Sequence, residues 1–314
     1  MPTNDTNPAY GKDLDAYAGI PTFMRQPASR ELEGVDVAIV GIPFDSGATS
    51  FRSGARMGPR KIREHSLEIW GYNRVMGVDP LDALTVVDYG DIGVDLTNIE
   101  TTAETIFKEA RDILEKDVRL ISLGGDHSIV YPLLKAHAEV HGPMALIHFD
   151  SHSDTEDGPL RHGTPLAFAS KEKAIDPDAF IQIGIRGPVY EPKALEIAAS
   201  YGAQVLTIDE CFEIGIPAVI DRYRKLVGNR KVYVSLDIDV ADPAYAPGTG
   251  TPEVGGFTSY QILQLVRGLK GLNLVGFDLV EVSPPYDSQG EITAILGANL
   301  VFEFLSLLAL QKQQ

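Results

Sequence analysis

The sequence of 314 residues contains a single cysteine, Cys211, and residues 1–26 lack the apolar stretch of a secretory leader. One thiol cannot form a disulfide framework, and it cannot supply a zinc site built from several thiolates. Proteins without disulfides are typical of reducing compartments. We therefore expect a cytoplasmic protein whose residues 1–30 form an N-terminal arm, either disordered or packed on a neighbouring subunit.

Positive charge is also scarce, because 27 lysine and arginine residues face 44 acidic residues, giving a formal net charge of −17. Nucleic-acid binding needs clustered lysine and arginine, so this balance argues against a nucleic-acid partner. It is compatible with a cationic substrate.

Long apolar runs are lacking too: residues 298–310 are too few to span a bilayer and include Glu303. We expect no membrane partner and interpret that segment as a buried helix.

Eight short runs are nearly continuous in apolar character, at residues 35–40, 84–88, 118–123, 144–149, 180–185, 204–208, 232–237 and 273–278. This pattern is typical of strands that are covered on both faces of a parallel sheet. Helical stretches lie between most of the runs, and parallel strands need such crossovers. The sequence predicts a single three-layer α/β/α domain over residues 31–314, with a mainly parallel eight-stranded sheet.

Local signals predict where several helices begin and end. Thr101 with Glu104, and Thr258 with Gln261, have the spacing of capping boxes. Pro59 suits the first turn of a helix, because proline has no backbone N–H to leave unpaired there. The last helix is predicted over residues 291–310.

Acidic residues and histidines alternate directly after the fourth apolar run, at Asp150, His152 and Asp154. In an extended chain alternate side chains share a face, and they lie roughly 6.6 Å apart. That spacing is too wide for one ion but suits a pair of ions about 3.5–4 Å apart. Taken alone, the triplet is equally compatible with a polar loop after a buried strand.

Further polar side chains follow other predicted strands: His127 after the third, Asp237 and Asp239 at the seventh, and Glu281 after the eighth. Carboxylates end or follow six strands, and the carboxyl ends of parallel strands meet at one edge of the sheet: Asp88, Asp126, Asp150, Asp209, Asp237 and Asp278. A crowd of negative charge at one edge is unfavourable without a cation. Oxygen and imidazole ligands without thiolate favour manganese and related divalent ions.

Several motifs resemble those of the ureohydrolases, the family of arginase, agmatinase and guanidinobutyrase. The resemblance covers nearly the whole chain from Gly34 onwards. It is carried by Gly41-Ile-Pro-Phe-Asp45, Gly54-Ala-Arg-Met-Gly-Pro59, Gly124-Gly-Asp-His-Ser128, the Asp-x-His-x-Asp at 150–154, Asp237-x-Asp239 and Glu281-Val-Ser-Pro284. Gly71-Tyr-Asn73 and Gln182-Ile-Gly-Ile-Arg186 are more similar to the agmatinase–guanidinobutyrase branch than to arginase.

The resemblance implies two divalent ions per subunit, most simply Mn²⁺, with Ni²⁺ as the alternative. One ion would be held by His127, Asp150, Asp154 and Asp237, and the other by His152, Asp150, Asp237 and Asp239. Asp150 and Asp237 would then bridge the pair, and a water made nucleophilic between the ions would attack a guanidinium carbon. The resemblance also implies an oligomer, either a trimer or a hexamer.

Two further residues are assigned to the substrate by the resemblance. Glu281 would pair with the planar guanidinium, and His162 would shuttle protons to the departing amine. The resemblance therefore implies catalytic roles for His162, Glu281 and Asp154. The loop between Asp154 and His162 does not decide which charge the substrate's tail carries. Arg161 could meet a carboxylate, whereas Glu156 and Asp157 could meet an amine.

Some positions near these motifs depart from the family's usual pattern or have an uncertain role. Ser151 stands where the family usually has alanine, and Ser153 where it often has threonine, although neither need alter ligation. The loop between Asp154 and His162 is short for the branch. Trp70 is expected to pack in the core rather than to line the pocket.

The function predicted is hydrolysis of a guanidino compound to urea and an amine, as in agmatinase or guanidinobutyrase. An alternative keeps this chemistry for a small alkylated guanidine or biguanide, or for a formimino group. A non-enzymatic partner subunit is a third hypothesis, which loss of the ligands or of Glu281 would have favoured. All of these residues are present.

Overall fold

The computed structural model describes residues 15–48, 50–189 and 191–314, which fold around one eight-stranded sheet. All neighbouring strands pair in parallel, in the order β2-β1-β3-β8-β7-β4-β5-β6. The strands are β1 (Val37–Ile42), β2 (Val86–Asp91), β3 (Arg119–Gly124), β4 (Met144–Phe149), β5 (Ile175–Ile185), β6 (Ala203–Thr207), β7 (Lys231–Asp237) and β8 (Asn273–Val280).

Helices cover both faces of the sheet and bury two separate apolar clusters against it. One face carries α3 (Ile99–Leu114), α4 (Val130–His141), α5 (Pro165–Lys171) and α6 (Ala194–Ser200). The other carries α1 (Gly58–Ser66), α2 (Pro80–Ala83), α7 (Ile208–Ile214), α8 (Ile216–Val227), α9 (Ser259–Arg267) and α10 (Ile292–Lys312). The predicted three-layer architecture is confirmed, and the sheet is wholly rather than mainly parallel.

The eight predicted strands all form, with their ends displaced by a few residues. The largest difference is at β5, which begins at Ile175 although the apolar run begins at Phe180. The first part of this strand contains Asp176, Pro177 and Asp178, of which the last two are exposed, so it lacks the apolar signal. Ile175 nevertheless pairs with Met144 of β4.

The last helix, α10, is long and apolar enough to cross a membrane by length and composition alone. The apolar segment at residues 298–310, predicted to be too short to span a bilayer, therefore belongs to a longer helix, Ile292–Lys312. However, 83% of the apolar window is buried inside the fold, where Phe304 stacks on Phe277 of β8. Glu303, also buried, pairs with Arg267 of α9 and accepts a hydrogen bond from Asn73. We conclude that α10 is the core helix of this domain, as predicted.

Two of the predicted helix starts are confirmed and one is wrong. Pro59 lies in the first turn of α1, and Thr258 with Gln261 forms a reciprocal capping box at α9. Thr101 is not a cap, because α3 begins at Ile99 and its N-cap, Asn98, accepts the N–H of Thr101. A capping box that the sequence reading missed joins Thr207 and Glu210 at α7.

Part of the N-terminal arm packs on the body of its own chain. Residues 1–14 lie outside the described residues, but Phe23 and Met24 are fully buried. The backbone N–H of Phe23 donates to Asp88, and that of Met24 donates to Ser66. Residues 15–30 are thus partly tied down within this chain.

Trp70 does not pack in the core, contrary to the expectation from its size. Its residue exposure is 79%, and Arg25 lies over the indole ring at 5.6 Å from the ring centre. A large apolar side chain usually favours burial, but here the loop after α1 directs the ring to solvent.

Candidate metal centre

The four central strands of the sheet, β3, β8, β7 and β4, are consecutive neighbours although they are scattered along the chain. Their carboxyl ends therefore bring four sequence segments to one edge, which is where open parallel sheets place their sites. His127 follows β3, Asp150 follows β4, Asp237 ends β7 and Glu281 follows β8. All four residues are buried.

His127 lies at the centre of a first group of ligand atoms. Its Nδ1 is 3.0 Å from Asp150 Oδ2, 2.9 Å from Asp154 Oδ2 and 3.3 Å from Asp237 Oδ2. Both Nδ1 and Asp150 Oδ2 are buried without a hydrogen-bond partner of acceptable geometry. Atoms that converge at such distances without hydrogen bonding suit a shared cation, since unpaired buried polar atoms are otherwise costly.

The orientation of the His127 ring is fixed from behind. Its Nε2 lies 2.9 Å from Ser235 Oγ, and the Ser235 hydroxyl donates to Asp278 Oδ1 at 2.8 Å. Because the serine proton is given to the carboxylate, its oxygen accepts the Nε2–H of His127. Nδ1 then carries the lone pair and faces the three carboxylates. Such outer hydrogen bonds are usual around histidine ligands of metals.

His152 anchors a second group. Its Nδ1 lies 3.0 Å from Asp239 Oδ2 and 3.6 Å from Asp150 Oδ1. The other ring nitrogen, Nε2, lies 3.9 Å from Glu253 Oε1. Asp150 therefore shares its two oxygens between the groups, one facing His127 and the other facing His152.

Asp237 contributes to the first group in the described geometry. Its Oδ2 faces His127, and its Oδ1 accepts the backbone N–H of Asp239 at 2.8 Å. That hydrogen bond fixes the turn after β7 on which Asp239 lies. The described contacts of this carboxylate reach His127 and the backbone of Asp239, so its role as a shared ligand stays a prediction.

His148 belongs to the same cluster and was missed in the sequence. It lies two residues before Asp150 on β4, is fully buried, and places Nε2 2.8 Å from Asp150 Oδ2. Gln182 of β5 donates to its Nδ1 at 3.2 Å and to the carbonyl of Ser153 at 2.5 Å. The period of two along a strand could have indicated it, because His148 and Asp150 share a face.

The electrostatics of the cluster reflect its crowding. Burial raises the pKa of Asp237 well above its usual range, and the charges of Asp239 and Asp150 raise it further. Burial acts in the same direction on Asp150, but neighbouring imidazoles, chiefly that of His148, hold the pKa of that carboxyl well below its usual value. Such a set releases protons when a divalent cation binds. Oxygens and imidazoles without thiolate fit manganese, nickel or a similar ion.

Glu281 and His162 lie beside the cluster. Glu281 has a φ of +63°, rare for a residue with a side chain, and its Oε1 accepts the backbone N–H of His127 at 2.9 Å. His162 Nδ1 is 3.4 Å from the same oxygen. Burial opposes the charging of His162, but the hydrogen bond and charge of Glu281 raise its pKa to about 9. Burial, with the charge of Glu281, raises the pKa of Asp126 to about 7.

Comparison with known proteins assigns this arrangement to a family. The protein-family model described as "Arginase family" matches residues 35–306 of this sequence. A mitochondrial agmatinase from Gallus gallus is 45% identical over 294 residues, which cover 92% of this chain and 86% of that protein. The chain belongs to the arginase family. It is an amidinohydrolase of that family, a ureohydrolase.

Two further arginase-family relatives show how far the similarity extends. Guanidinobutyrase from Pseudomonas aeruginosa is 41% identical over 315 residues, covering 98% of both chains. The solved structure of proclavaminate amidino hydrolase from Streptomyces clavuligerus has a TM-score of 0.90 at 44% identity, covering 94% of this chain and 98% of that one. The three relatives carry different substrate names at nearly equal identity. Similarity alone therefore does not select a substrate for this family member.

The loop that follows Asp154 bears charges that pair with one another in this arginase-family chain. Arg161 Nη2 lies 2.6 Å from Glu156 Oε2, and Asp157 Oδ1 lies 3.1 Å from Lys171 Nζ. Arg161 and Glu156 are both partly buried, whereas Asp157 is exposed. The predicted anchors for opposite substrate tails are thus each occupied by a neighbour of opposite charge.

Three strand-end carboxylates lie away from the two groups of ligand atoms. Asp88 accepts two hydrogen bonds from the buried guanidinium of Arg63. Asp209 is exposed in the first turn of α7. Asp278 lies within β8 and supports His127 through Ser235. The expectation that all six such carboxylates crowd one site was therefore too broad.

Proposed function

We propose that this chain hydrolyses a guanidino compound to urea and an amine with the help of two divalent ions. The observation that carries the proposal is the convergence of His127 Nδ1 and three carboxylates beside a second group formed by His152, Asp239 and the shared Asp150. Glu281 contacts the first group through the backbone N–H of His127, and His162 lies beside Glu281.

The proposed ligands of one ion are His127, Asp150, Asp154 and Asp237, and those of the other are His152, Asp150, Asp237 and Asp239. Manganese is the proposed metal, with nickel as the alternative, because the donors are oxygen and imidazole. When bound, the ions lower the pKa of water and so supply a nucleophile near neutral pH. His148 is proposed to hold Asp150 in place rather than to bind an ion itself.

The residues beside the metal groups have separate proposed roles. The carboxylate of Glu281 accepts N–H groups of the planar guanidinium and so orients its carbon, while its own position is fixed by the N–H of His127. His162, whose pKa is about 9, carries a proton at neutral pH. It donates that proton to the nitrogen that leaves as the C–N bond breaks, since an amine leaves far more readily than its anion.

Agmatine and ω-guanidino acids are the proposed substrates. The support is that relatives 41–45% identical to this chain bear the names agmatinase, guanidinobutyrase and guanidinopropionase. The pairing of Arg161 with Glu156 favours neither a cationic nor an anionic tail. We also propose a cytoplasmic location and a trimeric or hexameric assembly. No nucleic-acid or membrane partner is proposed.

A urea-release assay tests the proposal. Metal-stripped protein is reloaded with Mn²⁺ or Ni²⁺ and offered agmatine, 4-guanidinobutyrate, 3-guanidinopropionate, arginine, guanidine, a biguanide and a formimino compound. We expect urea from at least one guanidino compound, and loss of activity with chelator and in Asp150→Asn and Asp237→Asn. Absence of turnover with every compound and both metals would overturn the proposal. Formamide without urea, released from the formimino compound alone, would favour that alternative.

A further inference from the structure

Ser151 lies between two proposed metal ligands, Asp150 and His152, and is fully buried. Its hydroxyl donates a hydrogen bond of 2.7 Å to Asp239 Oδ1. Its backbone N–H donates to the same oxygen at 3.1 Å. Ser151 thus contacts the carboxylate of the second metal group from a position where no metal ligand is assigned.

These two hydrogen bonds determine which oxygen of Asp239 can bind an ion. A carboxylate oxygen has two lone pairs directed in its plane. Both lone pairs of Oδ1 are used by Ser151. Oδ2, by contrast, lies 3.0 Å from His152 Nδ1 and receives only a long hydrogen bond of 3.3 Å from Thr251. Asp239 therefore offers one oxygen to a cation, although an aspartate can offer two.

The same hydroxyl also contacts the other ligand of this group. Ser151 Oγ lies 3.1 Å from His152 Nδ1, the ring nitrogen that faces Asp239. Since its proton is given to Asp239, the oxygen can accept from the Nδ1–H tautomer of His152. An ion that binds His152 must replace this contact, which lowers the net gain from binding.

We propose that Ser151 is a positioning residue that limits Asp239 to one ligating oxygen and makes the second metal site the weaker of the two. The inference rests on the proposed pair of ions. It concerns the relative affinity of the sites, not their existence.

The Ser151 hydroxyl also orients Asp239, and this effect opposes the first. Outer hydrogen bonds that orient a metal ligand usually strengthen binding, and their loss weakens it about 10–100-fold. At Asp239, however, orientation is secured by other contacts: the N–H of Ser151, the hydroxyl of Thr251, and the N–H of Asp239 bonded to Asp237. Removing the hydroxyl therefore frees a lone pair without releasing the carboxylate.

Ser153 provides a matched control two residues along the same loop. Its Oγ accepts a hydrogen bond from Thr155 at 3.2 Å, and the described contacts of this hydroxyl include no carboxylate. Replacing either serine with alanine removes one hydroxyl from the loop between Asp150 and Thr155. Only the change at Ser151 alters the contacts of a proposed ligand.

The test is a titration of the metal-stripped full chain with Mn²⁺ by equilibrium dialysis and metal analysis. For the wild type we expect two classes of site. In Ser151→Ala the weaker class should bind about tenfold more tightly, as expected for the loss of a hydrogen bond to a charged group, and the tighter class should be unchanged. Ser153→Ala should match the wild type in both classes. Ser151→Gly should shift in the same direction as Ser151→Ala.

X-ray absorption of the manganese-loaded proteins gives a second readout. Ser151→Ala should show more oxygen neighbours per ion than the wild type. An unchanged or weaker second class in both Ser151 variants, with the first class intact, would overturn this inference while leaving the proposed function standing. A wild type that binds no manganese would instead overturn the proposed function, and this inference with it.

Discussion

The hydrogen bond from His127 to Ser235 decides which nitrogen of that ring faces the carboxylates, because the serine proton is committed to Asp278. Ser235→Ala removes the acceptor and leaves Nε2–H buried without a partner. We expect the tighter Mn²⁺ class to weaken about 10–100-fold, measured by the same dialysis. Ser122→Ala is the control, since Ser122 Oγ is buried without a hydrogen-bond partner. Equal losses in the two variants would contradict the role given to Ser235.

The pair formed by Arg161 and Glu156 gives a prediction for substrate choice. Glu156→Gln releases the guanidinium, so KM for a guanidino acid should fall and KM for agmatine should rise. Arg161→Gln should shift both in the opposite sense. The pair is partly solvated, so we expect changes of only a few-fold, of the size of surface ion pairs. Assays at low and high salt check this, because screening should reduce both shifts.

If either substitution changes KM for the two substrates in the same direction, the loop does not discriminate by charge. A substrate with an uncharged tail, such as a simple alkylguanidine, should respond to neither variant. That control separates an electrostatic effect from a change in the shape of the loop.

The residues of the candidate site divide into those with a sequence signal and those without one. Asp150, His152 and Asp154 follow from alternation along an extended chain. Ser235 and Glu253 have no such signal, because they come from distant segments and act only through the side chains they face. Their roles depend on the order of the strands in the sheet, which local patterns do not specify.

At the level of elements, the strands were predictable because each central strand is buried on both faces and so reads as an unbroken apolar run. The beginning of β5 was not, since Asp176 and Asp178 carry no apolar signal and lie where the pairing of β5 with β4 shifts register. The predicted start of α3 was wrong. A threonine and a glutamate at the right spacing need not cap a helix when an asparagine three residues earlier already does.

The two candidate caps of α3 can be told apart by stability. Asn98 accepts the N–H of Thr101 at 2.9 Å, so Asn98→Ala should lower the free energy of unfolding by about 1 kcal/mol. Thr101→Ala removes no capping hydrogen bond and should change it by less than about 0.5 kcal/mol. Urea denaturation of the three proteins measures the difference. A larger loss in Thr101→Ala would restore the capping box predicted from the sequence.

For the whole molecule, the order of the strands explains why a site can be assembled from segments so far apart. β3 and β8 are neighbours although about half of the chain separates them, and β7 lies beside β4. Every ligand segment therefore depends on long-range pairing, and the site forms only when the sheet is complete. Unfolding of the sheet therefore separates the ligand residues and abolishes the site. Any group that destabilises the fold in acid should then also reduce activity in acid.

His137 of α4 is a buried group that weakens the fold in acid. It is fully buried, its Nδ1–H donates to the carbonyl of Leu133, and burial lowers its pKa to about 3. Its unfolded pKa is about 6.5. Above pH 6.5 the ring is neutral in both states and has no effect on the pH dependence. Between pH 6.5 and about 3 the unfolded chain gains a proton that the folded chain cannot hold, so stability falls as the pH falls.

His137→Asn keeps a donor near Leu133 and removes the titrating ring. We expect the variant to be less stable at pH 7.5, by about 1–3 kcal/mol, because the ring's contact with Tyr233 is lost. Between pH 6.5 and 5 the wild type should then lose about 2 kcal/mol more than the variant, since each unit of pH is worth up to about 1.4 kcal/mol for one proton. Urea denaturation at half-unit intervals of pH measures both curves. Curves that stay parallel across this range would show that His137 takes up its proton in the folded protein as readily as in the unfolded chain.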